Sequence, residues 1–296
     1  MAKKMFEGRV AVVTGAGNGI GRAEAKLFAQ FGAKVVVNDI GTAISGVGTS
    51  NTPADTVVKA IKDAGGEAIA SYDSVADEQG ANKIIQAAID KWGRIDVLVN
   101  NAGVFSALND IDKMPTQDFD KIMKTHLYGT FFCSRAAAGY MKKQGYGRII
   151  NTSSHVGLGW RSNSAYSTAK EAIVGFTRSI ARDMAESGGT VNAIRPLAMW
   201  RGMREEDQKN TTDHPEDIAP LVVYLGSEAA GEITGRIFEV WHGHVGIFTE
   251  PPLVQGIIVK QGSWTVEELV KLVPQKLAKN AKRTVFEEIK MHDFEA

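Results

Sequence analysis

Cysteine is almost missing from this chain. Cys133 is the only one, so no intrachain disulfide can form, and neither a disulfide scaffold nor a cysteine-rich zinc site is available. A charge imbalance is missing too: 34 basic residues face 34 acidic ones. Neither nucleic acid nor an anionic membrane surface is therefore expected as a bulk electrostatic partner. No apolar stretch approaches the roughly 20 residues that a transmembrane helix requires. The start, MAKKMFEGRVAVV, passes through Glu7, Gly8 and Arg9 into a short apolar run instead of a signal-peptide core. No internal repeat is visible. These absences lead to the expectation of a soluble, cytoplasmic protein.

What is present is a core-forming composition, 44% hydrophobic and 23% charged over 296 residues. Short β-branched runs recur at 10–13, 35–37, 69–71, 97–99, 149–151, 191–194 and 237–240. They are continuously apolar, as strands covered on both faces must be. Segments of helical periodicity lie between them, among them 81–91, 119–141 and 170–185. The alternation predicts an α/β fold with a doubly wound parallel sheet of about seven strands. The Gly-, Ser- and Thr-rich stretch 41–54 reads as a long loop after the second strand. Residues 1–243 are expected to form one domain. Residues 244–296 are expected to form an extension packed on that domain or on a neighbouring subunit, with a helix started by the capping box of Thr265 and Glu268.

Four strand ends and one helix carry the chemistry. TGAGNGIG, residues 14–21, follows the first strand and opens a helix, where crowded glycines allow close approach of a pyrophosphate to the helix N-terminus. Its spacing, Gly15, Gly19 and Gly21, is not GxGxxG. Asp39 ends the second strand, where an acid can bind ribose hydroxyls and repel a 2′-phosphate, so NAD is expected over NADP. Asp73, after the third strand, can meet an adenine edge while Val75 packs on the ring. NNAG, residues 100–103, follows the fourth strand, with Asn100 able to tie neighbouring strands. Finally, AYSTAK places Tyr166 and Lys170 four residues apart on one helix face. An ammonium beside a phenol favours the phenolate, which would make the tyrosine a usable acid or base near neutral pH.

Taken in order, TGAGNGIG, Asp39, NNAG, RIINTSSHVG, AYSTAK and VNAIRP resemble the short-chain dehydrogenase/reductase family over residues 6 to 243. The resemblance implies a Rossmann-type fold, a homodimer or homotetramer, and Tyr166 as general acid/base with Lys170 lowering its pKa and holding the nicotinamide ribose. It implies cofactor contacts at Gly15, Asn18, Gly19, Ile20, Gly21, Asp39, Asp73, Ser74, Asn101, Ala102, Gly103, Tyr166, Lys170 and Pro196. The substrate-binding serine falls in TSS: the pattern read forward from the strand selects Ser154, the spacing read back from Tyr166 selects Ser153, and Ser154 is preferred. His126 stands where many members carry a catalytic-set Asn, so it either preserves a backbone role or adds an imidazole. Pro196-Leu197 replaces the usual proline-glycine pair.

A narrower resemblance, at ASYDSVAD, KTHLYG, KKQGYGRII, PEDIAPLVVYL and the tail, is to the dehydrogenase domain of peroxisomal multifunctional enzymes. It implies a 3-hydroxyacyl-CoA substrate. A free hydrophobic cyclic or steroidal alcohol is the rival substrate, and a non-catalytic NAD-binding protein the rival class. Met199, Trp200 and Met203 fall where the family builds a substrate lid. Arg161, Arg195 and Arg201 are candidate partners for a carboxylate or CoA phosphate, although surface arginine is the simpler reading. His242 and His244 form an HxH with no third ligand at recognisable spacing, so a turn, and no metal, is expected.

Overall fold

The structure is a computed structural model that describes residues 5–199, 202, 206, 209, 211–249, 252 and 256–277. Trp200, Arg201 and Met203 of the expected lid lie outside those residues. Residues up to Phe248 form one unit, and those from Thr249 onward another.

The first unit is built on one eight-stranded sheet. Its strands are β1 (Val10–Thr14), β2 (Lys34–Asn38), β3 (Glu67–Ser71), β4 (Val97–Asn100), β5 (Gly147–Thr152), β6 (Gly189–Pro196), β7 (Ile237–Trp241) and β8 (His244–Ile247), in the order β3-β2-β1-β4-β5-β6-β7-β8. The first seven run parallel, and β1, β4 and β5 are buried along their whole length. Such strands need helices on both faces, and the chain supplies them. They are α1 (Gly19–Gln30), α2 (Thr52–Asp63), α3 (Glu78–Trp92), α4 (Thr116–Met123), α5 (Gly129–Gln144), α6 (Ser164–Ala185) and α7 (Pro215–Gly226). One apolar cluster joins β1 and β2 to Phe28 of α1 and Val222 of α7, and a second joins the other face to Ile84 and Ile85 of α3 and Met141 of α5.

The eighth strand goes beyond the expected seven. It pairs antiparallel with β7, Trp241 opposite His244, so His242 and Gly243 are the two turn residues of a hairpin. The sheet thus continues past Gly243 to Ile247. Gly243 takes φ +65°, which suits the tight primed turn of a two-residue connection.

Two local features position the site. Strand order reverses between β1 and β4, and the parting loops open a crevice at the carboxyl ends there. Asn100 closes the strand ends, donating to Asn151 Oδ1 of β5 at 2.9 Å and to Ser134 Oγ at 3.0 Å. Between α4 and α5 the helix widens into a single π-type turn, Lys124–Tyr128, a device that re-aims side chains. His126 sits on it.

In the second unit, α8 (Val266–Leu272) begins at the expected capping box. Thr265 Oγ1 accepts from Glu268 N at 3.2 Å, and Glu268 Oε2 accepts from Thr265 N at 2.8 Å. Among the described residues, no helix is long and apolar enough to cross a membrane.

Candidate active site

A cleft of about 760 Å³ opens along the crevice. Of the expected cofactor contacts it is lined by Gly15, Asn18, Gly19, Ile20, Asp39, Asp73, Ser74, Asn101, Ala102, Gly103, Tyr166, Lys170 and Pro196, and also by His126 and both serines of the TSS run.

Gly21 is the exception. It is buried beneath the turn, where a Cβ would meet the Asn101 amide and come within 2.5 Å of the Gly15 carbonyl oxygen. Its part is to let α1 pack against the ends of β1 and β4. Gly19, by contrast, takes φ +52° with nothing within 4 Å of where a Cβ would stand. The turn therefore leaves a cradle open at the N-terminus of α1, as an anionic pyrophosphate requires. At the next strand end both Asp39 oxygens accept backbone N–H groups, Oδ2 from Gly17 at 2.8 Å and Oδ1 from Gly41 at 2.7 Å. The negative charge is thereby held at the cleft wall. These residues fit the adenosine and pyrophosphate of a dinucleotide.

At the other end of the cleft stand four polar groups. Ser154 stands by Tyr166, where its hydroxyl acts to lower the phenol's pKa, and its Oγ accepts from Val156 N at 3.2 Å. Ser153 points elsewhere: buried, it donates to the Lys170 carbonyl at 2.7 Å. Lys170 donates from Nζ to the Thr152 carbonyl at 2.6 Å, with the ammonium 5.4 Å from the centre of the Tyr166 ring. The His126 ring meets Tyr166 edge-on at 5.1 Å, and Phe105 stacks on the same phenol at 5.1 Å and 23°.

Burial dominates the electrostatics and reverses one expectation. The sequence pattern has Lys170 drawing the phenol down. Here desolvation pushes Tyr166 up to about 12, against a lowering contribution from Ser154, and pushes Lys170 down to about 7. The ammonium is turned to a carbonyl oxygen instead of the phenol oxygen, so the charge that would favour phenolate is itself costly to hold.

His126 is driven down to about 3, first by burial and then by the Lys170 charge, with the Val104 carbonyl opposing. It is therefore neutral. Its Nε2 lies 2.8 Å from the Val104 carbonyl oxygen and 3.2 Å from Val104 N, while Nδ1 is buried without a partner. The ring lies against Gly103, where a Cβ would fall 2.6 Å from Cε1. The imidazole thus braces the loop after β4.

Arg195 departs from both sequence readings. It is 3% exposed, donating to Glu171 Oε2 at 2.8 Å and to the Ser154 carbonyl at 3.0 Å, with its guanidinium over the Phe248 ring. It holds the backbone of Ser154 and is not a surface group. Arg161 is exposed. His242 pairs with Asp217 and His244 with Glu239, and no cluster of three metal-ligating side chains occurs among the described residues.

Sequence reasoning missed three contributions to the cleft. Ile44 and Gly46 come from the long loop after β2, and Phe105 from the loop after β4. Leu108 and Trp160, 62% and 45% exposed, add an apolar rim. The glycines of the loop announce its irregularity but not its destination.

Comparison with known proteins adds an independent line. The family model described as short chain dehydrogenase matches residues 9–212. The chain is 43% identical, over 83% of its length, to the peroxisomal hydratase-dehydrogenase-epimerase of Neurospora crassa, but spans only 27% of that protein. It is 38% identical to the 3-oxoacyl-[acyl-carrier-protein] reductase of Synechocystis, over 80% of this chain and 97% of that one. A crystal structure of a short chain dehydrogenase from Mycobacterium avium is similar at a TM-score of 0.78 and 42% identity, covering 90% of this chain and 93% of that one.

Proposed function

The chain belongs to the short-chain dehydrogenase/reductase family, an oxidoreductase family, and from that premise we propose that it is an NAD-dependent dehydrogenase interconverting a 3-hydroxyacyl thioester, most simply of CoA, with its 3-oxo form. The observation that carries the reaction is the convergence of Ser154, Tyr166 and Lys170 on the wall of one cleft that also holds Asp39, with the Ser154 hydroxyl favouring the phenolate. A bound nicotinamide supplies the hydride acceptor or donor. The residues of this chain do the rest. Ser154 donates to the substrate oxygen and fixes its place. Tyr166 takes the proton from the alcohol in oxidation and returns it to the ketone in reduction. Lys170 holds the ribose and, by its charge, offsets part of the cost of the phenolate. His126 stays neutral and braces the loop after β4.

NAD over NADP is supported by the Asp39 carboxylate, which would stand against a 2′-phosphate in a wall that offers it two backbone donors. The thioester class is supported by the names of the two relatives, one containing a dehydrogenase among three activities and the other acting on a 3-oxoacyl carrier. The apolar rim of Leu108 and Trp160 suits an acyl body. The assembly proposed is a homodimer or homotetramer, which sedimentation checks. For the compartment, the cytoplasm is the first candidate, and the peroxisomal relative makes the peroxisome the second. Following NADH formation with 3-hydroxyacyl-CoA thioesters beside CoA-free cyclic and steroidal alcohols tests the substrate. Turnover confined to thioesters is expected, and turnover confined to free alcohols would refute the thioester.

A further inference from the structure

The loop after β2 is tied at its base, its tip and its far end. Ser50 N–H donates to the Ile40 carbonyl at 3.0 Å and closes the base. Ala43 N–H to Val47 O and Gly46 N–H to Ala43 O, both 2.9 Å, fold the tip into a turn. The tip then reaches the opposite wall of the cleft, where Phe105 N–H donates to the Ile44 carbonyl at 2.9 Å. Gly46 takes φ +83°, and a Cβ on it would stand 3.3 Å from Val104 Cγ1, so the close seat depends on glycine there. Between base and tip the loop lines the cleft with Ile40, Thr42, Ile44 and Gly46, starting beside Asp39. The residue that receives the tip also covers the phenol: the Phe105 ring stacks on Tyr166.

We propose that residues 40–50 form a strap across the dinucleotide site, and that Phe105 is a positioning residue that couples the strap to Tyr166. Its backbone latches the tip and its ring seats on the phenol, so cofactor retention and the surroundings of the tyrosine change together. The proposal rests on the dinucleotide reading above. A latch built on a backbone hydrogen bond suits this use, since such a bond is worth only about 0.5–1.5 kcal/mol net and opens reversibly where water can replace it. The titratable groups facing Tyr166 are Lys170 on its own helix and His126 from the π-type turn, with the Ser154 hydroxyl beside them from the end of β5. Phe105, on the fourth side, is the neighbour bonded to the strap. Unseating its ring admits water to the phenol and eases its ionisation, which moves the rise of oxidation with pH to lower pH.

The test compares three variants with wild type by stopped-flow release of fluorescent NADH, amide exchange at Phe105, and the pH dependence of turnover. Phe105→Ala keeps the latching N–H and removes the ring. Its pH limb is expected to move down by about half a unit or more as water reaches the phenol, with NADH release close to wild type. Gly46→Val forces the tip off its seat. NADH release is expected to quicken about tenfold or more, as for an opened lid, the Phe105 amide to exchange faster, and the pH limb to move the same way as in Phe105→Ala. Replacing residues 43–47 by two glycines removes the tip without strain and should release NADH as fast. Fast release with an unmoved pH limb in Gly46→Val would overturn the coupling. Unchanged release in both tip variants would overturn the strap. Wild type that fails to bind NADH would instead refute the dinucleotide reading.

Discussion

Ser153 donates to the Lys170 carbonyl at 2.7 Å, while its chain neighbour Ser154 turns its hydroxyl toward the cleft beside Tyr166. Adjacent residues of an extended segment face opposite ways, so only one of the two hydroxyls reaches the phenol. Ser154→Ala is expected to lower kcat by about a hundredfold or more, since an orienting donor to the substrate oxygen is removed, with little change in melting temperature. Ser153→Ala should do the reverse, costing roughly 1 kcal/mol of stability because a buried helix carbonyl loses its side-chain donor. Steady-state kinetics and thermal melts on the pair separate the two roles.

Asp39 sets a second prediction. Asp39→Asn keeps the size and removes the charge that the proposed NAD site sets against the ribose. The KM for NAD should rise several-fold to about tenfold, and the penalty against NADP should fall by a similar factor, as expected when a charged hydrogen bond of roughly 1.5–3 kcal/mol is weakened. Competition kinetics with the two cofactors reads the ratio.

His126 is lowered from 6.5 to about 3, so the native state binds fewer protons there than the unfolded chain. Its contribution is therefore present above pH 6.5 and is lost as pH falls from there toward 3. His126→Asn, an amide able to accept from Val104 N and donate to Val104 O, should retain activity and become more stable relative to wild type as the pH drops. Denaturant titrations from pH 7 to pH 4 follow the difference.

Glu24 carries the opposite sign. It lies on α1, fully buried with neither oxygen partnered, and burial pushes it up to about 8. The native state then holds a proton that the unfolded chain gives up near 4.5, so stability falls as pH rises from 4.5 toward 8. Glu24→Gln should leave stability near pH 4.5 almost unchanged and raise it by roughly 1–4 kcal/mol at pH 8, the size of a shift of a few pKa units. A difference that does not grow with pH would contradict the buried carboxyl.

Much of this was legible in the chain. The seven apolar runs became seven parallel strands because a strand covered on both faces has no polar side to hide, and a continuous run reveals it. The motifs at 14–21, 100–103 and 165–170 were legible because their residue types are tied to backbone turns and helix faces. What escaped was long-range. The strand at 244–247 has only four residues, with Val245 and Ile247 exposed, so it carries no buried signature. Arg195 looked like a surface group because nothing local names Glu171 as its partner. Gly21 carries the spacing of a cofactor contact yet serves packing, and the depth of the Tyr166 pocket, which sets the phenol's titration, depends on Phe105 and His126 arriving from elsewhere.

In the proposed reaction Tyr166 moves the substrate proton. Tyr166→Phe removes only the hydroxyl, so NADH binding by fluorescence should match wild type while NADH formation from a 3-hydroxyacyl-CoA falls by about a hundredfold or more, the usual range for a lost general acid or base. Wild-type turnover should rise with pH in the oxidation direction, since the base form of the phenol is the active one. A Tyr166→Phe enzyme that binds NADH and still turns over at the wild-type rate would contradict the account.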